Sequence, residues 1–75
     1  MTAKFAQHEA FAQQIGSAIR AARRHLGMTQ EELAELIGVS DRTMRSIEQG
    51  KTGVSFDSVL RSAQAVGVRW EVHTP

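Results

Sequence analysis

The segment DRTMRSIE, Asp41 to Glu48, sets two guanidinium groups, a carboxylate and a hydroxyl on one side of a short helical pattern, opposite Met44 and Ile47. Arg42 and Arg45 offer paired donors, Ser46 a donor and an acceptor, and Asp41 acceptors only. Such a face can recognise a polar partner by hydrogen bonding. Catalysis has no comparable support. His8, His25 and His73 are scattered without HxxxH or similar ligand spacing, and there is no glycine-rich phosphate loop or nucleophile motif. No catalytic residue, metal ligand or cofactor is expected, and the chain is not expected to be an enzyme.

The elements that must hold this face can be read around it. Phe11, Ile15, Ile19, Ala22 and Leu26 recur at spacings of three and four, one face of a first helix that Gly27 ends. Residues 1–10 lack that periodicity and either fray or extend the helix. Thr29 followed by Glu32 fits a capping box, and Leu33, Ala34 and Ile37 mark the buried face of a second helix closed by Gly38. Ser40 is a favourable N-cap for the third helix, whose buried positions are Met44 and Ile47. After the loop QGKTG, Ser55 caps a fourth helix with Phe56, Val59, Leu60, Ala63 and Val66 as its apolar stripe and Gly67 as its end. The tail changes period. Val68, Trp70 and Val72 alternate with Arg69, Glu71 and His73, a strand pattern.

The second and third helices are joined by Gly38 and Val39 alone, so they must meet steeply, as in a helix-turn-helix. The small Ala34 allows a close crossing and Gly38 makes the turn. Leu33, Ile37, Val39, Met44 and Ile47 fill the wedge between the helices.

The stretch RRHLGMTQEELAELIGVSDRTMRSIEQGKT resembles the Cro and phage-repressor type of helix-turn-helix domain, with TQEELA, GVS and IEQGK at matching places. The likeness runs from about Ile15 to Val66. It implies a lambda-repressor-like fold that binds DNA with the third helix in the major groove, a groove that admits an α-helix and displays a distinct pattern for each base pair. Asp41, Arg42, Arg45 and Ser46 are then the candidates for base contact. Either arginine can pair with guanine O6 and N7, and Asp41 can accept from cytosine N4. Asp41 has an alternative role, stabilising the helix dipole, and the arginines have one as phosphate contacts. Thr29 and Gln30 are placed by the resemblance against the DNA backbone, where free amides favour phosphate. Ser40, Lys51 and Thr52 join them as backbone candidates, though Lys51 and Thr52 equally suit a solvated loop. Arg23 and Glu48 match positions that form a structural ion pair in this family.

The expected architecture is therefore all-α with a short C-terminal strand. Residues 1–10 form an N-terminal extension, 11–67 the four-helix DNA-binding domain, and 68–75 a dimerisation strand. A single strand leaves its amides and carbonyls unpaired, and pairing with the same strand of a second copy resolves this. Val68, Arg69, Trp70, Glu71 and Val72 are the interface candidates, with Arg69 opposite the partner's Glu71 if the two-fold axis passes Trp70. The other possibility is an irregular tail folded over its own helices. Two recognition helices about one turn of DNA apart, ~34 Å, suit a palindromic operator on double-stranded DNA. A helix-turn-helix followed by one alternating strand is also similar to the HipB-type antitoxins. That narrower likeness implies a homodimer, autorepression of its operon and a HipA-type kinase toxin as partner. A free-standing Cro-like repressor, or a protein-binding module using Glu31, Glu32 and Glu35, are the alternatives.

Composition is permissive. The 75 residues fit one domain near the lower limit for an unaided core. The formal charge is +1, with Arg20, Arg23 and Arg24 clustered ahead of the acidic Glu31, Glu32 and Glu35. Cysteine is absent, so disulfides and thiolate metal sites are excluded. MTAKFAQHEAFAQQ has no continuous apolar core, and no stretch approaches the roughly 20 apolar residues of a membrane span. The expectation is a soluble, cytoplasmic protein with no membrane partner.

Overall fold

The computed structural model describes residues 2–69 and 71–75, with side-chain burial from residue 7 onward. Its helices are α1 (Thr2–His25), α2 (Gln30–Ile37), α3 (Asp41–Glu48) and α4 (Phe56–Val66). Helix α1 thus takes in the stretch that the sequence leaves either fraying or helical.

Each of the three later helices starts at a hydroxyl. Thr29, Ser40 and Ser55 hold extended backbone, and their side chains accept from the amides of Glu32, Thr43 and Ser58. Each cap satisfies an amide that a helix start leaves without an intrahelical partner. Gly38 closes α2 at φ +76°, a left-handed conformation that a Cβ disfavours. The Val39 amide then donates back to the Ala34 carbonyl at 3.0 Å, which fixes the entry into α3.

Ile19, Leu33, Ala34, Ile37, Met44, Ile47, Ala63 and Val66 form the core. Ile15, Ala22, Met28, Val39, Val54, Val59 and Val68 pack around it. All the wedge residues expected between α2 and α3 are found there.

Two apolar stripes are corrected. Phe11 on α1 is exposed, and so is Leu26, which lies just beyond the end of that helix. The part of α1 that packs on the other helices runs from about Gln13 to Arg23, and Phe11 lies ahead of it and Leu26 after it. On α4, Phe56 and Leu60 are exposed while Ser58 and Ser62 are buried. The Ser62 hydroxyl donates to the Ser58 carbonyl at 2.8 Å, and the Ser55 hydroxyl donates to the Ser58 hydroxyl at 2.7 Å. With their polar atoms satisfied locally, these small side chains can take the inner positions and let α4 pack closely.

The expected C-terminal strand is not formed in the single chain. Among the described residues there is no strand, and 68, 69 and 71–75 have no regular secondary structure. A strand is defined by a hydrogen-bonded neighbour, and one chain does not provide it. Val68 is instead recruited to the core, its amide donating to the Ala63 carbonyl at 2.9 Å.

Candidate nucleic-acid interface

The site is built on the start of α2, the outer face of α3 and the loop that follows. At the start of α2, the Thr29 hydroxyl accepts from the Glu32 amide at 3.0 Å, and the Thr29 amide donates to Glu32 Oε1 at 2.7 Å. This is the expected capping box. The bond from the Thr29 backbone, followed by the one from its side chain, holds the Glu32 carboxyl below its ordinary range. Thr29 is exposed. Gln30 is half-buried, and its Nε2 donates to Glu48 Oε1 at 3.1 Å, leaving a second amide hydrogen for another acceptor.

Glu48 ties that corner together. Arg23 Nε donates to Glu48 Oε2 at 2.6 Å, Nη2 to Oε1 at 3.0 Å, and Nη1 to the Met28 carbonyl at 2.7 Å. Arg23 therefore fastens the last turn of α3 to the segment that leads into α2. Both charged residues are buried, at 8% and 6% relative exposure. The Glu48 hydrogen bond raises the Arg23 pKa, and burial opposes that rise less strongly.

On α3, Met44, Ile47 and Glu48 point inward, while Asp41, Arg42 and Arg45 are exposed and Ser46 is half-buried. Asp41, Arg42 and Arg45 carry no side-chain hydrogen bond or ion pair among the described residues. Ser40 is occupied as a cap, its hydroxyl accepting from the Thr43 amide and donating to the Thr43 hydroxyl, each at 3.0 Å. Arg42 and Ser46 share with Ser40, Thr43 and Ser55 a polar hollow between α3 and the start of α4. Lys51 and Thr52 are exposed but line a different recess, with Glu9, Gln13 and Gln49 beside α1. The base-contact candidates are thus brought onto one helix face, with the loop pair on a neighbouring shoulder.

This shoulder depends on a close backbone approach that sequence spacing did not single out. A Cβ on Gly16 would collide with the backbone carbonyls of Ile47 and Glu48, and one on Gly50 with the backbone of Gln13. Glycine at both places lets α1 lie directly on the end of α3.

A family model described as helix-turn-helix matches residues 19–72. The chain belongs to the helix-turn-helix family. An uncharacterized HTH-type transcriptional regulator of Methanothermobacter thermautotrophicus is 45% identical over 49 residues, covering 65% of this chain and 71% of the relative. A second HTH-type transcriptional regulator, from Sinorhizobium fredii, is 35% identical over 54 residues, covering 72% of this chain and 70% of its own length. Both alignments are long enough to hold the whole α2–turn–α3 unit.

Of the tail candidates, Val68 packs against the core. Arg69 is exposed, and Glu71 pairs with His73 at 3.2 Å. Val72 is 84% exposed, and Trp70 lies outside the described residues. Among the described residues no cluster of His, Cys, Asp and Glu could hold a metal ion, and no helix is long and apolar enough to cross a membrane.

Proposed function

We propose that this helix-turn-helix chain is a sequence-specific transcriptional repressor that places α3 in the major groove of a palindromic operator and acts as a homodimer. The observation that carries this reading is the division of α3. One side is locked by Met44, Ile47 and the Glu48 network, while Asp41, Arg42 and Arg45 stand exposed and unengaged on the other. In this reading Arg42 and Arg45 read guanines and Ser46 assists. Asp41 accepts from cytosine while also favouring the positive start of the helix. The remaining hydrogen of the Gln30 side-chain amide and the groups of Lys51 and Thr52 bind phosphate, while the Thr29 amide and the Ser40 hydroxyl are held in their caps and line the same contact.

The test is salt-dependent binding to the DNA upstream of its own reading frame against random duplex. Preference for the upstream DNA that survives moderate salt is the expected result; equal affinity for both would sink the repressor reading. Arg42→Ala should lower the discrimination by about 1–3 kcal/mol if it holds a guanine, and Ser46→Ala by less. Unchanged ratios in both variants would refute base readout at these positions.

Dimerisation through the tail rests on the alternation of Val68, Trp70 and Val72 and on the exposure of Val72. Deleting residues 68–75 should give a monomer by sedimentation. A truncated chain that remains dimeric would remove the strand from the interface. The narrower proposal, a HipB-type antitoxin that binds a HipA-type kinase, rests on the tail pattern alone. A kinase-like toxin frame beside this one would support it. An isolated frame leaves the free-standing repressor.

A further inference from the structure

Arg61 occupies a place in the fold that no DNA-contact role accounts for. It lies on α4, four residues after Asp57, and its Nε is paired with Asp57 Oδ2 at 3.0 Å. From there its Nη1 donates to the backbone carbonyl of Ile37, the last residue of α2. The guanidinium sits over the turn itself, since a Cβ on Gly38 would lie 4.0 Å from Nη1. A cation at this end of a helix is favoured by the exposed carbonyls there, and the fork of Arg61 can hold Asp57 and Ile37 together.

Among the described residues this is the one side-chain hydrogen bond that joins α4 to the α2–turn–α3 unit. Its position complements that of Arg23. Arg23 secures the C-terminal end of α3 through Glu48, whereas Arg61 secures the turn from which α3 starts. Asp41 and Arg42 stand on the first turn of α3, immediately after that entry. Apolar packing fixes how deep α3 lies but is non-directional. Directed hydrogen bonds at both ends, from Arg23 to Glu48 and from Arg61 to Ile37, constrain its tilt.

We infer that Arg61 is a positioning residue for DNA recognition, holding the α2–α3 turn so that the first turn of α3 presents its side chains at a fixed angle. The inference rests on the DNA-binding reading above. Arg61 touches no base and no phosphate in this role. Its loss therefore acts on discrimination, and not on the electrostatic part of binding.

The experiment compares wild type, Arg61→Met and Asp57→Ala for affinity to the upstream DNA and to random duplex over a range of salt. Amide exchange at Val39 and Ser40 is measured in parallel. Arg61→Met is expected to lower the ratio of specific to random affinity about five- to tenfold, as one lost tether acting indirectly would. Turn exchange should accelerate while the salt slope stays as in wild type. Asp57→Ala should change the ratio in the same direction by less, although removing an acid would by itself favour DNA. A salt slope reduced by about 1 in Arg61→Met would mean a lost phosphate contact and would overturn the proposal. So would an unchanged ratio, or turn amides that exchange as before. Wild-type protein with no preference for the upstream DNA is a separate outcome. It removes the DNA-binding reading and this role with it, whereas an unchanged variant beside a discriminating wild type removes only the role of Arg61.

Discussion

Glu48→Ala is expected to cost about 3–5 kcal/mol, one of the largest losses a single substitution can cause in this chain. The carboxylate receives Arg23 Nε and Nη2 and Gln30 Nε2, and both charged residues are buried. Without it the Arg23 guanidinium stays in the interior with only the Met28 carbonyl as partner. It cannot escape by losing its proton, because an arginine remains charged under all conditions in which the protein folds. A domain of this size has a total stability on the order of 4–11 kcal/mol, so the loss takes a large share. The double variant Arg23→Met with Glu48→Met should recover much of the stability, since an apolar pair of similar volume avoids the uncompensated charge. Urea denaturation of the single and double variants measures both effects. A loss below about 1 kcal/mol in Glu48→Ala would show that the pair is far better solvated than its 8% and 6% exposure implies.

The second large effect is at the glycines between α1 and the end of α3. Gly50→Ala should lose about 2–5 kcal/mol, combining about 1–2 for a Cβ in left-handed backbone with about 1–3 for overpacking. Gly50 has φ +73°, and the added carbon would land on the backbone of Gln13. Gly53 provides the internal control. It has φ +89° but nothing within 4 Å of its added carbon, so Gly53→Ala should show only the conformational part. Gly16→Ala gives a change of sign. In an open helix this substitution gains about 1 kcal/mol, yet here its Cβ meets the Ile47 and Glu48 carbonyls and should cost about 1–3. Backbone carbonyls cannot rotate aside as a side chain can. Pushing them away also strains the Arg23–Glu48 bonds, so Gly16→Ala and Glu48→Ala should not be additive. Thermal denaturation decides it. A Gly16→Ala protein as stable as wild type would mean that α1 can shift without cost.

The helix starts were legible because a cap is local. Thr29 with Glu32, Ser40 with Thr43 and Ser55 with Ser58 interact across three residues, within reach of any inspection of the chain. The wedge between α2 and α3 was legible for a related reason. So short a connection, Gly38 to Ser40, leaves little choice of angle, so Ala34, Gly38 and Met44 had recognisable steric tasks. Arg61 carried only a faint signal, its i, i+4 spacing from Asp57, and that spacing did not indicate a partner on α2. The burial of Ser58 and Ser62 in place of Phe56 and Leu60 had no evident signal. Hydrophobicity ranks residues singly, whereas the inner face of α4 is chosen by how closely its neighbours approach.

By itself, then, the sequence determined where the helices α2 to α4 begin, where α2 turns into α3, and which polar residues α3 carries outward. Those properties depend on bonds and steric contacts between residues close along the chain. Only the tertiary structure decided that Gly16 and Gly50 bring α1 onto α3, that Glu48 gathers Arg23 and Gln30, and that Val68 joins the core. It also showed that the described residues of the tail form no strand in the single chain. Each of these depends on a surface contributed from elsewhere in the fold, and a ladder needs a second strand whose amides and carbonyls face the first.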